Sequence, residues 1–77
     1  MIVIYPNPVV DVLKIIFPTS SKRNNISIFN IHGVLVFDKI TNTQFLEVDA
    51  KSLKEGIYFV QIKSTDGIRV KKIVVSR

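Results

Sequence analysis

Ile57-Tyr58-Phe59-Val60-Gln61-Ile62-Lys63 runs into Ser64-Thr65-Asp66-Gly67 and on through Ile68-Arg69-Val70-Lys71-Lys72-Ile73-Val74-Val75. Tyr58, Val60 and Ile62 alternate with Ile57, Phe59, Gln61 and Lys63, the period of two that places one face of a strand against a core. Asp66-Gly67 is the strongest hairpin signal in the chain, because a tight turn between antiparallel strands needs a residue that accepts positive φ. The segment therefore reads as two paired strands. Val70 and Ile73 are three residues apart, which puts them on opposite faces of a regular strand. Either the last strand is covered on both sides or a bulge near Lys71-Lys72 resets its register, and the bulge is the expectation.

The same period extends towards the N-terminus. Ile2 to Tyr5 reads as a short strand stopped by Pro6-Asn7-Pro8, and Leu13, Ile15 and Phe17 share a face of a second, ended by Pro18-Thr19-Ser20-Ser21. Ile26 and Ile28 mark a third strand, closed by Asn30-Ile31-His32-Gly33. Val34 to Ile40 has mixed alternation, which suits a strand apolar on both faces. Thr41-Asn42-Thr43 leads into a fifth, in which Leu46 and Val48 share a face. Asp49 to Gly56 is the one stretch that suits a helical turn, with Asp49 as cap, Gly56 as stop and Leu53 plugging the core. Seven short strands separated by turn chemistry predict a single all-β domain over residues 1–77, a small antiparallel β-sandwich. Its expected core is Leu13, Ile15, Ile26, Ile28, Leu46, Val48, Leu53, Tyr58, Val60 and Ile62.

Composition narrows the chemistry. The chain has 77 residues, 47% of them hydrophobic and 22% charged, a net charge of +5 and no cysteine, which excludes a disulfide or a thiolate metal site. His32 is the single histidine and sits in a turn, so no histidine metal cluster forms. Asp11, Asp38, Glu47, Asp49, Glu55 and Asp66 fall on different turns and strands, and each of the three glycines stands alone. Neither a carboxylate pair nor a phosphate-cradling loop emerges, so no enzyme, cofactor or metal is expected. No apolar run approaches the ~20 residues of a membrane-spanning helix, and direct membrane insertion is not expected. The lysines are scattered, and only Lys22-Arg23 and Lys71-Lys72 are adjacent, a pattern of solvated strand faces. Phe29, Phe37, Phe45 and Phe59, with Lys63 and Lys39, are the candidates for a stacking platform of the OB-fold kind. No run interleaves glycine, aromatics and basic residues on one strand, so nucleic acid is not the expected partner.

Three features in order carry a resemblance. They are Tyr5-Pro6-Asn7-Pro8 before Leu13-Lys14-Ile15; Ile26-Ser27-Ile28-Phe29-Asn30-Ile31-His32-Gly33-Val34; and Leu53-Lys54-Glu55-Gly56-Ile57-Tyr58 with the ending Val70-Lys71-Lys72-Ile73-Val74-Val75. Over residues 4–76 the chain resembles the C-terminal sorting domain of the type IX secretion system, type A, of Bacteroidota. The resemblance departs at Asn30, where aspartate is commoner; either residue can cap a turn. Each motif also has a folding role. Pro6 and Pro8 stiffen a corner that moves the chain between sheet edges, Gly33 serves a hairpin, and Gly56 lets Tyr58 enter the core with its hydroxyl near the rim.

The resemblance implies an immunoglobulin-like sandwich without catalytic activity, excised from a larger secreted protein. Such a domain directs the cargo fused upstream of it from the periplasm through the outer-membrane translocon. A sortase-like protease then removes it, and the cargo is attached to the cell surface or released. Tyr5, Pro6, Asn7, Pro8, Gly33, Gly56, Tyr58, Lys71, Lys72, Ile73 and Val74 are the motif residues that a receptor would read. The last strand, as a sheet edge, would offer backbone groups and positive charge, while Lys71 and Lys72 also suit protection of that edge against self-pairing. Two other functions fit the same sandwich, an adhesive or carbohydrate-binding module and an OB-like nucleic-acid-binding domain. Aromatics clustered on one exposed face would favour the carbohydrate reading.

Overall fold

Alternation in sequence becomes alternation in burial. In the computed structural model, which describes residues 2–18 and 23–76, Tyr58, Val60 and Ile62 are buried, while Ile57, Phe59 and Lys63 on the alternate positions are exposed and Gln61 is half-buried. The strands are β1 (Val3–Tyr5), β2 (Val12–Ile16), β3 (Asn24–Asn30), β4 (Leu35–Thr41), β5 (Phe45–Asp49), β6 (Gly56–Ser64) and β7 (Gly67–Val75). They form two antiparallel sheets, one in the order β1-β2-β5 and one in the order β4-β3-β6-β7. This is the expected immunoglobulin-like sandwich, with β4 joined to the sheet of β3, β6 and β7.

One core lies between the sheets. Leu13, Ile15, Ile26, Ile28, Leu46, Val48, Tyr58, Val60 and Ile62 are buried in it as expected, together with Ile4, Val9, Phe17, Ala50, Ile73 and Val75. Leu53 is corrected from core to periphery: it is half-buried and packs against the cluster from outside. The expected helical turn around it is a short non-helical connector, held by the Leu53 N–H donating to the Ala50 carbonyl at 3.1 Å. Asp49 ends β5 and still caps the turn, its Oδ1 accepting from the Lys51 N–H at 2.9 Å.

Two register expectations change. β7 pairs with β6 without a shift from Gly67 to Val75, so Lys71-Lys72 holds no bulge. Val70 is 61% exposed and Ile73 1% exposed, on opposite faces of a regular strand. Val70 needs no cover because the outer face of this sheet is open. The bulge lies instead in β4, where Ile28 faces Phe37 and Phe29 faces Leu35, leaving Val36 as the extra residue. β4 is also not covered on both sides; it is an edge strand exposed over most of its length, and the extra residue accounts for its mixed alternation. Most of the turn expected at Pro18-Thr19-Ser20-Ser21, and Lys22 of the Lys22-Arg23 pair, lie outside the described residues.

Candidate functional site

The Tyr5-Pro6-Asn7-Pro8 corner is built by docking against the opposite sheet. Both proline peptide bonds are cis. Past β1 the chain crosses to the outer edge of β7, where the Asn7 side chain spans alternate residues of the strand. Its Nδ2 donates to the Lys72 carbonyl at 3.3 Å and its Oδ1 accepts from the Val74 N–H at 3.0 Å. Val9 then continues as one parallel bridge to Val75. Its N–H donates to the Val74 carbonyl at 2.7 Å, and its carbonyl accepts from the Ser76 N–H at 2.8 Å. A polar side chain and one buried valine thus cover the C-terminal half of an edge that would otherwise be unpaired.

Tyr58 sits on the strand next to that edge, with Gly56 opposite Val75 and Tyr58 opposite Ile73. Gly56 has φ +150°, a conformation that L side chains rarely adopt, as the strand enters from the connector. The buried Tyr58 ring sends its hydroxyl back to donate to the Lys54 carbonyl at 2.7 Å. This is the tyrosine corner of immunoglobulin-like sandwiches, tying the start of the sixth strand to its own connection.

Tyr58 also faces Asn30 across β3. The Asn30 Oδ1 accepts from the His32 N–H at 2.9 Å and the Val34 N–H at 3.0 Å, while Gly33, at φ +80°, donates to the Asn30 carbonyl. Asparagine fulfils the capping role expected of it. His32 is an exposed turn residue whose structural contribution is its backbone.

The row Asn30–Tyr58–Ile73, continued by Asn7 on the β7 edge, crosses one end of the four-stranded sheet. Apart from Tyr5, the sequence motifs therefore converge there. Pro6, Asn7, Pro8, Gly33, Gly56, Lys71 and Lys72 are exposed, Val74 is half-buried, and Tyr58 and Ile73 are internal. Tyr5 stands on the outer face of the other sheet, with the Lys14 Nζ 5.9 Å from its ring centroid. Sequence reasoning missed Val9, whose signal was an apolar pair, Val9-Val10, inside a turn: one member is buried and the other exposed.

The phenylalanines do not share a platform. Phe29 and Phe59 face each other on the outer side of the four-stranded sheet, Phe45 is on the outer side of the other sheet, and Phe37 turns inward against the core. Among the described residues no group of three or more His, Asp or Glu side chains converges to hold a metal.

Residues 3–76 match a protein family described as the secretion system C-terminal sorting domain. Among solved structures, the chain is similar to one reported in a structural and functional probing of PorZ, an essential bacterial surface component of the type-IX secretion system of human oral-microbiomic Porphyromonas gingivalis. The two superpose with a TM-score of 0.80 at 18% identity, covering 99% of this chain and 11% of that one. At that identity the likeness shows a shared fold, and this chain spans about a tenth of the neighbour's length. A search of curated proteins finds no match.

Proposed function

Because the chain belongs to the type IX secretion system C-terminal sorting domain family, we propose that it is the export signal of a cargo protein fused upstream of it. The family points to a secretion-signal role in a typically non-catalytic domain, and to secretion to the cell surface or extracellular space. The observation that carries the proposal is the extent of the match, which takes in every strand of the sandwich. Residues 1–77 act as a single sorting domain at the end of a larger secreted protein. The cargo passes through the periplasm, and the outer-membrane translocon recognises the sandwich behind it. A sortase-like protease then separates it from the cargo.

The convergence of the motifs at one sheet end supports recognition of that end. Pro6, Asn7, Pro8, Gly33, Gly56, Tyr58, Ile73 and Val74 shape it, Lys71 and Lys72 present side chains beside it, and Tyr5 leads into it from the outer face of the other sheet. The test is a reporter with a periplasmic signal peptide in front and this domain behind, expressed in a host with the secretion system. Export of the intact fusion is expected. Periplasmic retention of a folded Lys71→Glu/Lys72→Glu fusion shows that the lysines are read; retention of the wild-type fusion in the periplasm overturns the proposal.

One observation favours a second reading. The cross-strand pair Phe29 and Phe59, the latter 36% exposed, offers an aromatic surface of the kind an adhesive or carbohydrate-binding module uses. Glycan binding by the wild-type chain, lost in Phe59→Ala, would select it.

A further inference from the structure

Among the described residues, Asn7 and Val9 cover the C-terminal half of the β7 edge and none covers the other half. The Lys72 and Val74 groups that meet them point away from β6, and in an antiparallel ladder such outward groups recur on alternate residues. The N–H of Lys72 and both backbone groups of Val70 and Ile68 therefore point outward as well. Beside them β7 and β1 leave an opening: two clefts of about 220 and 180 Å³ share Ile2, Ile62 and Arg69 and extend to Ile4 and Lys71. Ile2, Ile4, Val60 and Ile62 supply the apolar part of its lining, the end near the turn is mainly polar, and Arg69 and Lys71 stand on the β7 wall. Asp66 marks the turn end. Among the described residues Arg69, Lys71 and Lys72 make no ion pair.

We propose that this groove takes an extended acidic segment of a partner protein, which adds as a strand to the free half of the β7 edge. The inference rests on the sorting proposal and names the chemistry of the partner met during export. An added strand alternates its side chains between the two faces. Those turned towards β1 meet Arg69 and Lys71 and are carboxylates; those turned outward lie beside Ile68 and Val70 and are apolar. A second copy of the chain is the wrong occupant, because pairing β7 with β7 brings together two sets of Arg69, Lys71 and Lys72. The Val9 bridge shows the same edge accepting ladder hydrogen bonds from an extended segment.

The test needs no secretion system. The isotope-labelled full chain is titrated with a synthetic seven-residue peptide alternating Glu and Val, and with its Lys-for-Glu counterpart, while backbone amides are followed by NMR. Saturable binding of the acidic peptide is expected, with the largest amide shifts at Ile68, Val70 and Lys72. Arg69→Glu/Lys71→Glu lowers the affinity by at least about tenfold. Val70→Pro abolishes binding yet keeps a dispersed spectrum, since the lost N–H points outward and takes no part in the β6 ladder. Equal binding of the basic peptide, shifts centred on Phe29 and Phe59, wild-type affinity in Val70→Pro, self-association through β7, or absence of binding each overturns the proposal. Any of these leaves the export of the fusion untouched, so the two readings fail separately.

Discussion

Asn7 bonds the main chain of Val74 and of Lys72, joining the first and last motifs across 65 and more residues of sequence. A strand edge has alternating donors and acceptors, and a carboxamide has one of each, so a single side chain satisfies an outward N–H and an outward carbonyl at once. Asparagine is therefore the side chain this corner requires. Asn7→Ala removes both bonds and should cost about 1–2 kcal/mol, or roughly 5–15 °C in a domain of this size. Asn7→Asp keeps the acceptor for Val74 but sets a carboxylate against the Lys72 carbonyl, and should recover little of that loss. Urea unfolding of the three proteins checks the order.

Tyr58→Phe isolates the corner bond, since the ring stays buried and only the hydroxyl is lost. The Lys54 carbonyl loses its partner in a part-buried site, and the expected cost is about 1 kcal/mol. Gly56→Ala meets no steric obstacle around its Cβ, so any loss comes from the backbone at φ +150°. A drop of about 1 kcal/mol or more is expected there. Equal midpoints for Gly56→Ala and wild type would show that the strand relaxes out of this conformation.

Core position sets the next contrast. Ile28 has no exposed surface and faces Val60 across β3 and β6, so Ile28→Ala should cost about 2–5 kcal/mol. Leu53 packs on the rim and can be replaced partly by water, so Leu53→Ala should cost less, about 1–2 kcal/mol. Thermal melts that ranked Leu53→Ala as the more damaging would mean the connector, not the strands, anchors the sandwich.

Local pattern explains why so much of this architecture is legible in the sequence. A strand buried on one face must alternate, so Tyr58, Val60 and Ile62 declared their facing, and Asp66-Gly67 declared the reversal that follows. The turn itself centres on Thr65 and Asp66, with Gly67 opening β7 opposite Ser64. What stayed hidden was set by contacts distant in sequence. Nothing local to Val34–Ile40 says that β4 joins β3 rather than β5, or that Val36 is extra. Nothing near Val70 says whether its face is covered. The link from Asn7 to Val74 lies outside any window of periodicity, although the motif residues at both ends were visible.

The lysines at the end of β7 give the last prediction, because charge and folding can be separated there. Lys71 and Lys72 are exposed, on opposite faces of a strand whose neighbours Ile73 and Val75 are buried. Lys71→Glu/Lys72→Glu should therefore change stability by no more than about 0.5 kcal/mol, the usual range for exposed positions without a specific partner. Deleting residues 70–77 is a different event. It removes Ile73 and Val75 from the core, strips the outer edge of β6, and leaves Asn7 and Val9 without partners, so the truncated chain should not fold at all. Circular dichroism melts of the two variants make the comparison. A double mutant that melts with wild type while its fusion stays in the periplasm assigns the lysines to recognition. One that melts well below wild type assigns them to the strand, and the export defect of the deletion then reports folding alone.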